Sequence, residues 1–344
     1  MMIVRHAELK DLQDIYLLAE KSGVGFTSLP ANIDILSKRI IRTQKTLAGE
    51  VPESEQGYLF VLEDFMSQRV VGLSAIEVSV GLTSPFYSYR MGKQVHASDE
   101  LNVYKTLDTL FLTNDLTGVS ELCSLIIDPT FRVNSNGKFL SKIRFLFIAA
   151  FRHLFKQKLI AEMRGYSTED GISPFWNALG HHFFKMDFAT ADYLSGIGQK
   201  SFIAELMPRF PIYIDLLPES AKNVIGQVHQ QTLPAFKLLQ LEGLEYCGYV
   251  DIFDGGPTLQ ADIKNLKAIQ NCQQVQIKIE AQNNQKGNQA FMVANDHYEN
   301  YKALLVSHDG NERFLKLTPE QAQILNVKLG DQVRILALHT QEKS

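Results

Sequence analysis

The 344 residues hold few cysteines, no long apolar run and no marked excess of either charge. The three cysteines, Cys123, Cys247 and Cys272, have neither metal-type nor redox-type spacing, and their scarcity fits a reducing compartment. No metal site is expected. The most apolar stretch, "FLFIAAF" at 145–151, is closed by Arg144 and by Arg152-His153, far short of the roughly 20 residues that span a bilayer. The opening "MMIVRHAELKDLQDIY" lacks the apolar centre of a signal peptide. A cytoplasmic protein with no membrane contact is the expectation. Lys and Arg number 34 against 38 Asp and Glu, a net charge of −4, so the chain as a whole does not attract nucleic acid or acidic membrane. A local basic site for a phosphorylated cofactor remains compatible with that balance. Neither G-x-x-x-x-G-K-[ST] nor G-x-G-x-x-G occurs, which excludes a Walker loop and a dinucleotide fingerprint.

What is present is an ordinary globular composition, 45% hydrophobic and 21% charged, long enough for two domains or for one large domain with an appendage. "MMIVRHA" is a first strand, and "DLQDIYLLAE" and "IDILSKRIIRTQKTL" are amphipathic helices. Strands "GYLFVLED" and "RVVGLSAIEVSV" follow, then a less regular segment, 81–118, that suggests a long insertion. After it come the strand "ELCSLIID", a polar loop, a helix over 138–155 and the strand "KLIAEMRG". "SPFWNALGHHFF" begins like a capped helix that stops at Gly180, "SFIAELMP" is strand-like, and "TLPAFKLLQLEGLEYCGYV" runs helix, glycine, strand. Beyond about residue 262 the pattern turns to short strands around the polar loop "NNQKGNQ" and an Asp309-Gly310 hairpin turn, with a short helix capped by Thr318. The expected division is 1–262, with the insertion, and a small β-rich domain over 263–344.

The polar loop carries the sharpest local signal. In "IIDPTFRVNSNGKF", Arg132, Ser135 and Gly137 lie at positions one, four and six, ahead of a helix. Small residues let a ligand approach backbone N–H groups, and the arginine adds charge where a helix start already favours an anion. A pyrophosphate fits; so, on local pattern alone, does a plain strand-to-helix turn with a solvated arginine.

The order strand, two helices, antiparallel strand pair, strand, loop, helix, strand, helix resembles the GNAT acyltransferase fold, whose loop has the form Gln/Arg-x-x-Gly-x-Gly/Ala. Ser135 departs from it, although serine also presents a backbone N–H. Longer phrases, "TSLPAN", "SEQGYLFVLED", "VHASDELNVY", "SELCSLIIDP", "SPFWNALG", "GQKSFIAELMP", "VIGQVHQQT" and "YVDIFDGGPTL", closely resemble bacterial arginine N-succinyltransferases across nearly the whole chain. The resemblance implies a mixed α/β (α+β) fold with a mostly antiparallel sheet flanked by helices. It also implies succinyl transfer from succinyl-CoA to the α-amine of L-arginine, the first step of arginine breakdown through succinylated intermediates. Succinyl-CoA is then a co-substrate, with no permanently bound cofactor.

The resemblance further assigns Leu125 to succinyl-CoA binding and His229 to proton donation. By themselves, Leu125 is also an ordinary core leucine and His229 an ordinary cap before a helix. Cys123 lies two residues from Leu125 and raises an acyl-enzyme alternative, whereas a strand cysteine is usually a small core residue. The adjacent His181-His182 would point apart on a helix. Glu121, Glu162, Glu205 and Asp254 are candidate partners for a guanidinium, and Arg90 and Arg164 for a succinyl carboxylate. Two other functions remain open: transfer to another amine such as ornithine, and a non-catalytic acyl-CoA-binding regulatory subunit. Assembly with copies of itself or with a different subunit is compatible with either.

Overall fold

The alternating apolar residues that open the chain form strand β1 (Met2–His6), and the amphipathic stretches after it form helices α1 (Leu12–Ser22) and α2 (Ile33–Leu47). The computed structural model describes residues 1–23, 28–199, 201–280, 289–308 and 314–339. Helix α2 starts where the Asn32 side chain accepts from the Ile35 N–H at 3.1 Å, a cap that satisfies one orphan donor. Ile15, Leu18, Leu36 and Ile40 from the two helices pack with Leu59, Val61, Leu73 and Ala75, so α1 and α2 cover one face of the adjoining sheet.

That sheet is built from β2 (Gly57–Asp64), β3 (Arg69–Glu77), β4 (Ser88–Ser98), β5 (Val103–Thr113), β6 (Ser120–Ile127), β7 (Lys158–Glu162), β8 (Ile212–Tyr213), β9 (Glu245–Val250) and β10 (Pro257–Asp262), together with β1. It is extended by β11 (Gln273–Ile279), β12 (Gln289–Ala294), β13 (Lys302–His308), β14 (Phe314–Leu317) and β15 (Gln332–Ala337). Among the described residues the order is β14-β11-β15-β12-β13-β1-β2-β3-β6-β7-β10-β9-β4-β5-β8. Among the described residues only β6 with β7 and β11 with β14 pair in parallel. The mixed, mostly antiparallel sheet flanked by helices is the expected fold class. Strands β11–β15 form a separate C-terminal domain around Ile277, Val293, Leu315, Leu325 and Val333, joined to the rest where β13 pairs with β1.

The opposite face of the sheet is covered by α3 (Asn136–Ala150). Phe139, Leu140, Ile143, Phe145, Leu146, Phe147 and Ile148 are all buried, so this helix is enclosed on every side rather than amphipathic. Its core continues into Leu159, Ala161 and Met163 of the β7 region and into Leu239 and Leu244.

Two sequence expectations are corrected. Residues 81–118 are not irregular: β4 and β5 pair from Ser88↔Thr113 to Ser98↔Val103 as a long hairpin. "SFIAELMP" is not a strand but carries a helix, Ser201–Leu206. The helix capped by Ser173 does stop ahead of Gly180, at Ala178 with Leu179 as its C-cap, and a second helical turn, Gly180–Phe184, follows. The Trp176 ring packs directly on Gly180, since a methyl group there would lie 2.2 Å from it. The Asp309-Gly310 turn, most of the 283–289 loop and Thr27 of "TSLPAN" lie outside the described residues.

Candidate active site

Strands β6 and β7 hold together at only two positions, Ser120↔Leu159 and Glu121↔Ile160. Beyond them β6 runs on to Ile127 and β7 to Glu162 without further pairing. The two strands splay, and the gap leads into a cleft of about 1160 Å³. On its other edge β6 pairs with β3, where the register shifts between Leu73 and Ala75. Ser124, with φ 53°, is the bulged residue, and a bulge re-aims the side chains beyond it. Cys123 and Ile126 pack with the α1–α2 side, whereas Leu122, Leu125 and Ile127 pack with the α3 side. The bulge is tied down by neighbours: the Ser124 N–H donates to Ser28 Oγ at 3.2 Å, Ser124 Oγ donates to the Ser28 carbonyl at 3.0 Å, and Arg39 Nη1 donates to Ser124 Oγ at 3.0 Å.

The polar loop closes one end of this cleft. Asp128 accepts from the Thr130 N–H at 3.0 Å and its hydroxyl at 2.7 Å, and pairs with Lys21 Nζ at 2.6 Å. These bonds, led by the one to Lys21, hold the Asp128 carboxyl down at about 2. Asn136 Nδ2 donates to the Phe131 carbonyl at 3.1 Å and Arg132 Nε to the Ile127 carbonyl at 3.3 Å. The small polar residues thus build the turn themselves. Asn134 and Ser135 both have left-handed backbone, φ 51° and 62°, which aims the first turn of α3 at the cleft. A methyl group at Gly137 would meet no atom within 4 Å, so packing does not require glycine there and the helix start is open to the cleft. Arg132, Ser135, Gly137 and Leu125 all line the one cleft.

His229 stands at its rim. Its neighbours Gln231 and Thr232 line the cleft, while His229 itself does not. Its backbone N–H donates to the Arg164 carbonyl at 2.9 Å, and Gly165 forms an isolated bridge with Val228, so the continuation of β7 carries this segment. The chain runs close here: a methyl group on Gly165 would come within 2.5 Å of Asp254. The His229 Nδ1 accepts from the Gln231 N–H at 3.2 Å. A backbone amide only donates, so the neutral ring carries its proton on Nε2. Burial, and secondarily the Arg164 charge, pulls the imidazole below its usual value.

The structure sorts the remaining candidates. Glu121, Glu162, Asp254 and Arg164 line the cleft; Glu205 and Arg90 do not. Arg90 pairs with Asp115 at 3.4 Å. Asp254 is occupied structurally, accepting from the N–H groups of Gly165 at 2.6 Å and Gly256 at 2.8 Å. Burial, with the neighbouring Asp251 carboxylate, raises it well above the carboxylate range. Burial, with Glu121 and Glu77 nearby, pushes the Cys123 thiol up to about 12, so thiolate is scarce at neutral pH and the residue is a poor nucleophile. Cys123→Ala is expected to keep kcat within about threefold of the parent, because it removes only a small side chain. Steady-state rates would check this, and loss of activity in a folded variant would restore the acyl-enzyme route. Sequence reasoning did not single out the buried cations on α3. Lys142, 3% exposed, pairs with Glu242 at 2.7 Å, and Arg144 is 2% exposed. Among the described residues no helix is long and apolar enough to cross a membrane.

Comparison with known proteins places this geometry. Residues 2–268 match the family described as arginine N-succinyltransferase beta subunit, and 273–337 match its C-terminal domain. An arginine N-succinyltransferase of Yersinia pseudotuberculosis is 55% identical over 347 residues, covering 99% of each chain. One from Escherichia coli is 52% identical over 344 residues, covering 100% of each. The solved structure of arginine/ornithine succinyltransferase subunit AI from Pseudomonas aeruginosa superposes with a TM-score of 0.91 at 36% identity, covering 99% of each chain.

Proposed function

Since the chain belongs to the arginine N-succinyltransferase family, we propose that it transfers succinyl from succinyl-CoA to the α-amine of L-arginine, releasing N2-succinylarginine and CoA. The observation that carries this reading is identity above half along 99% of both chains. Succinyl-CoA is a co-substrate and no cofactor stays bound. The protein works in the cytoplasm, with residues 1–262 as the acyltransferase unit.

Chemically, the α-amine attacks as the neutral base, so the ammonium must first lose its proton. The donor lies along the splay, with its pyrophosphate at Arg132 and the N–H groups of Ser135 and Gly137, where helix start and guanidinium act together. The thioester sits beside Leu125, whose strand has lost its β7 partner and keeps backbone groups for the substrate. Attack makes an oxyanion that a fixed N–H stabilises, and collapse expels the CoA thiolate. His229 donates a hydrogen bond from its Nε2–H to that thiolate, and the proton shed by the attacking nitrogen as the amide forms passes to the sulfur or to water. Nothing in this sequence of steps uses Cys123.

Arg132→Ala is expected to raise the KM for succinyl-CoA roughly tenfold with little change in kcat, the loss of one charge-assisted contact to a bound phosphate. A drop in kcat with KM unchanged would remove Arg132 from donor binding. The acceptor is tested by turnover on L-arginine and L-ornithine at matched concentration, with products identified by mass. Arginine is expected to be the better substrate, and equal or faster reaction with ornithine would remove it as the defining acceptor.

A further inference from the structure

The described chain buries three lysine or arginine side chains: Arg5, Lys142 and Arg144. Two of them hold carboxylates in the usual way for buried charge. Arg5 meets Asp11 at 2.8 Å and Glu63 at 2.5 Å, and Lys142 meets Glu242 at 2.7 Å. Arg144 meets none within 4.0 Å among the described residues. It donates only to neutral oxygens: Nε to the Ser141 carbonyl at 3.1 Å, Nη2 to Ser141 Oγ at 3.1 Å and Nη1 to the Cys123 carbonyl at 3.3 Å. A guanidinium has five N–H donors, so two remain unspent on a residue that is 2% exposed and borders the cleft. Burial draws it down to about 10, which still leaves it charged at neutral pH.

Its position in the splay gives the ligand. The contact to Cys123 falls between the last paired position of β6, Glu121, and Leu125, at the narrow end of the V. Cys123 and Leu125 flank the Ser124 bulge, so they are close neighbours along the opened edge of β6. A four-carbon diacid places its far carboxyl carbon three bonds from the thioester carbon, about 3.8 Å when extended, and a charge-assisted hydrogen bond adds about 2.8 Å. Together these give a reach of about 6.6 Å from the thioester carbon to a donor nitrogen. We propose that Arg144 receives the distal carboxylate of the succinyl group, so that a buried cation provided by α3 selects a dicarboxylic acyl donor. This rests on the thioester lying beside Leu125, as in the proposed function. A carboxylate there supplies the counter-ion the guanidinium lacks, in the bidentate geometry its planar fork favours. A neutral four-carbon acyl group would leave the charge buried without an anion.

Butyryl-CoA, equal in chain length and without the carboxylate, is the matched probe. The wild-type enzyme is expected to prefer succinyl-CoA to butyryl-CoA in kcat/KM by at least roughly a hundredfold. Arg144→Met is expected to lower kcat/KM for succinyl-CoA by roughly a hundredfold, while the butyryl-CoA value stays level or rises. CoA itself should bind unchanged. Arg144→Lys, which keeps the charge but not the fork, should fall between them and serves if the methionine variant does not fold. A purely structural arginine would lower both donors by the same factor, and that result in either folded variant overturns the assignment. A wild-type enzyme that shows no preference for succinyl-CoA would instead overturn the proposed function, and this inference with it.

Discussion

His229→Ala is expected to lower kcat by roughly 10²–10⁴-fold while succinyl-CoA binds with its original affinity. The expectation comes from where the proton sits. Gln231 donates its N–H to Nδ1, leaving Nε2–H as the group free to face the leaving sulfur, and the bond from the His229 N–H to the Arg164 carbonyl fixes the segment at the cleft rim. Because burial and Arg164 lower the imidazole's pKa, the ring is neutral through the range in which the substrate amine loses its proton. The rate should therefore rise with pH through the amine titration and show no fall attributable to His229 above 6.5. A requirement for the imidazolium would give the opposite sign, with kcat declining as pH rises through the lowered value. His229→Gln, which retains an N–H donor, should recover part of the rate lost in the alanine variant. Equal rates for the two variants would mean that the ring acts by shape rather than by its proton.

Lys142→Met is expected to destabilise the protein by about 3–5 kcal/mol, because it leaves the Glu242 carboxylate buried without its cation. The pair is 3% and 2% exposed and 2.7 Å apart. Its surroundings extend the effect: Lys142 Nζ also donates to the carbonyls of Ala337 and Leu338 at 3.3 and 3.4 Å, and Glu242 accepts from the Ala268 N–H at 3.0 Å. One ion pair thus joins α3, the helix Leu233–Glu242 and the end of β15. Replacing both partners, Lys142→Met with Glu242→Leu, should recover much of the loss, since an apolar pair of similar volume is often as stable as a buried salt bridge. Urea midpoints for the single and the double variant, against the parent, measure this. A single variant within about 1 kcal/mol of the parent would show that the carboxylate finds water or another donor.

The central elements were legible because periodicity and caps agreed. The helix drawn over 33–47 has those ends in the structure, with Asn32 as its cap, and the strand drawn over 57–64 has its ends likewise. The β4–β5 hairpin was missed because much of it is exposed on both faces, so no inside–outside alternation marks it. Residues 201–206 were misread because a six-residue apolar stretch fits a short strand as well as a helix. Of the candidate site, Arg132, Ser135 and Gly137 were visible as a loop, and Leu125 and His229 only through resemblance to a family. Arg144 looked like the polar end of an apolar run. A charge inside a wholly buried helix carries no sign in the sequence of what it faces, and only the splay of β6 from β7 brings it to the cleft. The same limit applied to the carboxylates, since spacing could not separate Glu162, which borders the cleft, from exposed Glu205.

The account's central claim is direct transfer within one complex of enzyme, succinyl-CoA and arginine. The measurement that tests it most directly follows CoA thiol release after mixing enzyme with succinyl-CoA, first alone and then with L-arginine, while the protein is weighed intact in the first arm. The account predicts no stoichiometric release and no succinylated protein until arginine is added, then turnover with succinylarginine as product. A burst of one equivalent of CoA before arginine, with a succinyl group on the chain, would contradict direct transfer. No release in either arm despite bound succinyl-CoA would contradict the enzyme itself.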